Sequence, residues 1–165
     1  MAKHELIAEL RGYVDGLGGV AKKIRDLRRE LARTRGLLRE AVLGMIALRL
    51  SDYYTSCERM FERLSDEMNG ARPEGEEWHR ILLERMTREV PEVRPRVLSD
   101  RSHRDLDELR KLRHALRHLY GVEIDEPKLR IHFRKLPELH REVTADLNRF
   151  LNDLSRTFRA AEEDR

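Results

Sequence analysis

The groups most able to do chemistry in this chain crowd into one stretch, Arg110-Lys111-Leu112-Arg113-His114-Ala115-Leu116-Arg117-His118-Leu119-Tyr120-Gly121. On a helix, at about 100° per residue, the leucines mark a buried side. His114 and His118 point away from it, Arg110 and Arg117 lie between, and Arg113 sits on the flank of the apolar stripe. The outward side then presents guanidinium and imidazole groups together, the two kinds that cutting RNA without a metal requires. A histidine that titrates near neutrality can take the 2′-hydroxyl proton. An arginine can stabilise the charge that grows on the phosphate oxygens. The plainer account is a solvated basic face, the common fate of such helices.

Arg113 and His118 are five residues apart, so on a regular helix they point about 140° away from each other. One straight helix does not easily close both on a single phosphate. Two helices crossing near a two-fold axis would pair Arg113 of one chain with His118 of the other. A distorted helix end near Gly121 is the competing solution.

Other candidates are weaker. Trp78 beside His79 could stack a base, although a core tryptophan with its histidine in water is the commoner arrangement. Glu58 could face the site from a second helix, although a surface ion pair with a neighbouring arginine is the ordinary reading. His114 and His118 are four apart and could chelate a metal, but no third ligand is obvious and no metal or other cofactor is expected. Gly16-Leu17-Gly18-Gly19 lies in a helical pattern with no strand before it, so it is not a phosphate loop.

The elements that must position these groups are all helical. An apolar line runs Leu6, Leu10, Tyr13, Leu17, Val20, Ile24, Leu27, Leu31 in steps of four and three, one face of a helix and even a heptad seam. The helix expected over residues 1–35 is interrupted by Gly16, Gly18 and Gly19, each costing about 1 kcal/mol. Either it breaks there or a neighbour packs closely on the glycines. A second helix is expected from about Leu37 to Met68, with Ile46, Leu50, Tyr53, Cys57, Met60, Leu64 and Met68 as its stripe. Its segment Ala41–Leu50 is apolar nearly all round, as in a central helix covered on several sides.

A short third helix follows Gly75, with Trp78, Ile81, Leu82 and Met86 inward. Pro91 and Pro95 exclude a helix interior there. Ser99 or Asp100 caps a fourth helix, whose apolar line is Leu106, Leu109, Leu112, Leu116, Leu119, with Gly121 as a stop. Asp125-Glu126-Pro127 opens another helix, Pro137 should break or kink it, and Leu139, Val143, Leu147, Phe150, Leu154 and Phe158 line the last one. The tail at 160–165 is expected to fray. No strand pattern appears. The expected fold is all-α, an up-and-down bundle of four or five helices in one domain spanning residues 1–165.

Composition agrees with such a bundle. Of 165 residues, 39% are hydrophobic and 39% charged, a balance that argues against disorder. The net charge is +3, but 28 of the 34 basic residues are arginine. Arginine grips phosphate as a planar fork, which suits an RNA or nucleotide partner, and a GC-rich genome would give the same bias. The single cysteine, Cys57, excludes an internal disulfide and reads as a small core residue of a cytoplasmic protein. No signal peptide is recognisable, and no apolar stretch is long enough to span a bilayer.

The spacing Arg-x-x-x-x-His-x-Tyr, at Arg113, His118 and Tyr120, resembles the signature of HepT, a ribonuclease toxin of the HEPN superfamily. So do Asp52-Tyr53-Tyr54-Thr55-Ser56-Cys57-Glu58-Arg59-Met60-Phe61, Gly75-Glu76-Glu77-Trp78-His79-Arg80-Ile81-Leu82-Leu83 and Arg94-Pro95-Arg96-Val97-Leu98-Ser99, which together extend the resemblance over roughly residues 45 to 125. The resemblance implies a HEPN-like homodimer and a metal-independent endoribonuclease site in which Arg113 and His118 are catalytic. It implies that Tyr120 is modified with AMP by a cognate nucleotidyltransferase antitoxin. A bulky anionic adduct beside a phosphate site would repel RNA. HEPN motifs often carry a polar residue such as Asn directly after the arginine. Here that residue is His114, which leaves two imidazoles as candidate bases, with His118 at the motif position. Arg110, His114 and Arg117 would then contact the RNA backbone. Two other functions are compatible with the same residues: a non-catalytic HEPN partner that binds a nucleotide or substrate for a nucleotidyltransferase, and a purely structural helical protein with its N-terminal heptads as an oligomerisation seam.

Overall fold

The computed structural model of the protein describes residues 3–68, 70–118 and 123–163. Among these residues five helices follow one another: α1 (Lys3–Arg33), α2 (Gly36–Met68), α3 (Trp78–Arg85), α4 (Asp100–Arg117) and α5 (Glu126–Glu163). Among the described residues there is no strand, and a lone bridge between Val90 and Arg94 closes the turn bounded by the two prolines. The fold is the all-helical bundle that the apolar periodicities predict.

α2 is the central element and touches all four others. Along it Ile46, Leu50, Tyr53, Cys57, Met60, Phe61 and Leu64 are fully enclosed. α1 runs antiparallel to α2, as two ties at opposite ends show. Arg63 pairs with Glu9 at 3.0 Å, and Arg39 donates to the Leu31 carbonyl at 2.6 Å. α5 runs in the direction of α2: Arg39 pairs with Glu126 at 2.6 Å and the Tyr53 hydroxyl meets His140 Nδ1 at 2.9 Å. α4 is antiparallel to α5, through Arg101 with Glu142 at 2.8 Å and Lys135 with Asp105 at 2.5 Å. Neighbouring long helices therefore alternate in direction, with α3 filling the gap between α2 and α4.

Two expectations about interruptions are corrected. α1 is one unbroken helix through Gly16, Gly18 and Gly19, and no neighbour presses on them, since a Cβ built on each meets nothing within 4 Å. Leu6, Leu10, Leu17, Ile24 and Leu31, all buried, hold the helix against its neighbours strongly enough to override three weak propensities. Pro137 does not end a helix either. It lies inside α5, which is one element of 38 residues. The missing N–H removes one backbone bond, but Phe133, Leu136, Leu139 and Val143 on both sides of it are buried. At its far end α5 also continues past Ala160 to Glu163.

The start of α4 is fixed with unusual care. Ser99 is the N-cap, and its side chain accepts from the Ser102 amide, as Ser at this position should. The Ser99 hydroxyl and amide both donate to the buried Asp146 of α5, at 2.6 and 2.8 Å. Upstream, Arg94 is buried and donates to the carbonyls of Arg88 at 2.9 Å, Arg85 at 3.1 Å and Pro95 at 3.1 Å. That arginine binds the end of α3 to the entry of α4. The two helices that flank the motif are thus set by a buried arginine and a buried aspartate.

One further expectation fails in part. The segment 41–50 of α2 is not covered all round: Met45 is 49% and Leu48 56% exposed, and Leu37 and Leu38 just before them are 81% and 61% exposed. Leu37, Ala41, Met45 and Leu48 follow at helical steps on one side, away from the enclosed stripe.

Candidate functional site

Three helices bring their side chains to one place. On α2, Tyr54, Glu58, Phe61 and Ser65 follow at steps of four, three and four, and all are buried. On α4, Ser102, Leu106, Leu109 and Arg113 do the same. Each helix therefore carries a charged residue at a core position of its stripe, and the two charges meet. Arg113 donates to Glu58 Oε2 at 2.7 Å, with side chains only 7% and 5% exposed. The guanidinium carbon also sits 5.4 Å from the centre of the Tyr54 ring. Burial, then the charge of Glu58 and a hydrogen bond to it, push the Tyr54 hydroxyl well above its ordinary range, against the pull of Arg110 and Arg113. Tyr54 is therefore a neutral donor throughout the working range of the protein.

The third member comes from α3. His79 Nδ1 lies 2.5 Å from Glu58 Oε1, and its ring stacks on Trp78 with centroids 3.7 Å apart and planes 29° from parallel. One carboxylate thus holds an arginine on one oxygen and an imidazole on the other. A buried carboxylate needs such partners, because an unpaired charge there would be very costly.

The other described basic residues of this stretch are more exposed than Arg113. His118 is exposed and is the C-cap of α4, its amide bonding back to the last turn. His114 and His118 meet edge to face, with ring centroids 4.6 Å apart. Arg117 is exposed. Arg110 is half-buried and pairs with Asp107 at 2.7 Å. Burial alone would raise the Asp107 carboxyl, but hydrogen bonds from Arg110 and Lys111 hold it below the usual range. Glu77 at the start of α3 is held low chiefly by Arg80, with smaller contributions from Arg110 and His114. The entrance of α3 therefore faces the basic side of α4.

A family model described as HepT-like protein matches residues 45–154. The chain belongs to the HepT-like family, within the HEPN superfamily. No curated protein and no solved structure matches it. The matched span contains every residue of the buried cluster as well as Arg110, His114, Arg117 and His118.

Set beside the sequence expectations, this HepT-like site differs in three ways. Arg113 is not on the flank of the apolar stripe but inside it, at the position the leucine line would have occupied. Leu112 and Leu116 are only partly buried instead. Glu58 is not a surface ion pair: it is the buried centre of the cluster. His79 does not point to water but to Glu58, and Trp78 packs against the core only in part. Arg113 and His118 are not joined by any contact among the described residues. Tyr120 lies outside the described residues, with Leu119 and Gly121. A usable signal for the cluster did exist: Tyr54, Glu58, Phe61 and Leu106, Leu109, Arg113 each read as a core stripe with one ion in it, and two such ions must face each other.

No group of three or more potential metal ligands occurs among the described residues. No helix among the described residues is long and apolar enough to cross a membrane.

Proposed function

We propose that the protein is an endoribonuclease toxin that acts in the cytoplasm without a metal, with Arg113 and His118 as its catalytic pair. HepT-like proteins generally belong to toxin–antitoxin systems with nucleotidyltransferase partners. The observation that carries the reading is the end of α4. There a buried guanidinium shares the last turns of the helix with exposed His114, Arg117 and His118, all within the segment that matches the family. The imidazole of His118 removes the 2′-hydroxyl proton. The guanidinium of Arg113 stabilises the developing oxyanion in a site shielded from water. Arg110, His114 and Arg117 hold the RNA backbone.

The working form is a homodimer. In one chain Arg113 faces inward and His118 outward, so one protomer does not aim both at one phosphate. A second copy brings its own His118 to the first chain's Arg113. The exposed apolar row Leu37, Met45 and Leu48 on α2 is a surface that such a partner would cover. Tyr120 is the regulatory residue, modified with AMP by a nucleotidyltransferase antitoxin, and the added negative charge repels RNA.

Expression of wild type and His118→Ala from a tightly controlled promoter tests this reading. Growth arrest and RNA fragmentation with wild type alone support it, as does cleavage by the purified protein in excess chelator. Products ending in a 2′,3′-cyclic phosphate identify the internal attack. The burial of Arg113 behind Glu58 favours a second reading, in which the chain binds a substrate for its nucleotidyltransferase and cuts nothing. Intact RNA with unmodified, dimeric wild-type protein would establish that alternative.

A further inference from the structure

Cleavage of RNA by its own 2′-hydroxyl moves two protons. One leaves the attacking oxygen and one must reach the departing 5′-oxygen. His118 accounts for one of them. The second proton carrier has to lie beside the same phosphate, be a donor near neutral pH, and be held still.

We infer that His79, fixed by Glu58, is the general acid of this site. The inference rests on the ribonuclease reading and adds a catalytic residue that the Arg-x-x-x-x-His-x-Tyr spacing does not contain. Its first support is position. His79 Nδ1 and Arg113 occupy the two oxygens of one carboxylate, at 2.5 and 2.7 Å. A phosphate drawn to Arg113 is therefore drawn to His79 too. The second is orientation. A carboxylate on Nδ1 fixes the ring and its orientation, which leaves Nε2 as the nitrogen that carries the proton to give. About a quarter of the side-chain surface, 27%, stays open to solvent, so the ring is reachable beside the less exposed Arg113.

The third support is charge. With His79 protonated, Glu58, Arg113 and His79 sum to one positive charge, and a phosphodiester brings one negative charge. The filled site is neutral, whereas the empty one carries an uncompensated cation. The groups that face His79 agree with this. α3 packs on α2 and α4. From α2 come Glu58 and the neutral Tyr54. From α4 come Arg113, with Arg110, His114 and Asp107 further along, and Glu77 stands at the start of α3 itself. Glu58 is the charged group bonded to the imidazole among the described residues, and Trp78 stacks on its face.

In the step itself, the 2′-oxygen forms a bond to phosphorus as neutral His118 takes its proton. The bond from phosphorus to the 5′-oxygen breaks as His79 Nε2 delivers its proton to that oxygen. The products are a 2′,3′-cyclic phosphate and a 5′-hydroxyl. His118 ends protonated and His79 neutral, and exchange with water restores both. In the dimer, His79 travels with the Arg113 of its own chain while His118 arrives from the other, so each composite site receives one imidazole from each protomer.

The test uses His79→Asn, which keeps a donor where Nδ1 stood and so preserves the Glu58 contact, but has no proton to release. Two forms of an RNA oligonucleotide that wild type cuts are compared: the natural one, and one with sulfur in place of the departing 5′-oxygen. A thiolate leaves without being protonated. His79→Asn should cut the natural RNA about 10²–10⁴-fold more slowly, the usual contribution of a general acid, and the sulfur-substituted RNA within a few-fold of wild type. The limb of the pH–rate profile that reports the acid should vanish with it, while His118→Ala stays slow on both substrates. An unimpaired His79→Asn overturns the inference, and so does a defect that sulfur does not relieve, which would make His79 a support for Glu58 only. Those outcomes leave the ribonuclease reading standing. Wild-type protein that cuts neither RNA overturns both.

Discussion

Glu58 and Arg113 stand 55 residues apart in sequence and form a 2.7 Å ion pair that solvent scarcely reaches. Their partners are unequal. Glu58 also holds His79, whereas Glu58 is the carboxylate that neutralises Arg113. Breaking a buried pair costs about 3–5 kcal/mol when it strands a charge. Glu58→Gln, which strands a guanidinium, should approach that loss. Arg113→Met should cost clearly less, because His79 still compensates Glu58. The double variant should be more stable than the sum of the single losses implies. Urea unfolding of the four proteins measures this cycle, and equal single losses would contradict the shared-carboxylate arrangement.

The exposed apolar row on α2 makes a prediction about assembly. Replacing Met45 with Glu and Leu48 with Lys adds charge to a face that a protomer leaves exposed. Helical content and unfolding temperature should change little, since neither side chain packs inside the chain. Sedimentation should shift from dimer to monomer, and RNA cleavage should fall with the dimer. A wild-type protein that sediments as a monomer at micromolar concentration and still cuts RNA would remove the composite site.

Acid should weaken the fold before any carboxylate titrates. Burial, aided by Arg25, holds His140 below the ordinary histidine range, and burial chiefly does the same for His132. Both groups bind protons more readily in the unfolded chain. Their contribution to stability is complete above the unfolded value near pH 6.5, and it is lost as the pH falls from there through the folded value. His140→Asn keeps an acceptor for the Tyr53 hydroxyl but cannot titrate. Its urea midpoint should fall less than that of wild type between about pH 7.5 and pH 5, the window set by the histidine reference value. Identical slopes for the two proteins would show that His140 does not carry the effect.

Gly16 and Gly19 are exposed interior positions of α1 with room for a methyl group. Alanine at either should stabilise the protein by up to about 1 kcal/mol. Thermal unfolding reads the gain directly. A loss would mean that another molecule packs where the isolated chain shows open space.

Much of this molecule was legible in advance, and the reasons differ by element. The helices over 36–68 and 100–117 were readable because apolar steps of three and four recur along both, and Ser99, whose side chain accepts from the Ser102 amide, marks the start of the second. The continuity of α1 and α5 was not readable. Local cost at Gly16–Gly19 and at Pro137 is visible in sequence, but the long-range burial that outweighs it is not. At the site, the motif drew attention to Arg113 and His118, while the partners of Arg113 went unrecognised. Leu109 and Leu112 both neighbour Arg113, and a line through the leucines alone rotates the helix by one position. That small rotation placed a core arginine on the flank of the stripe and left Glu58 looking like an ordinary exposed acid. His79 could not be assigned from sequence at all, because its role depends on a helix 21 residues from the carboxylate it binds.

Trp78 is the only tryptophan in the chain, and its indole lies nearly parallel on the His79 imidazole at 3.7 Å. A protonated imidazole accepts an electron from an excited indole, whereas a neutral one does so poorly. Every photon of tryptophan emission from this protein therefore originates against the ring that Glu58 holds. The brightness of the unlabelled protein is a running optical record of that stacking, legible with each bound anion before any bond is cut.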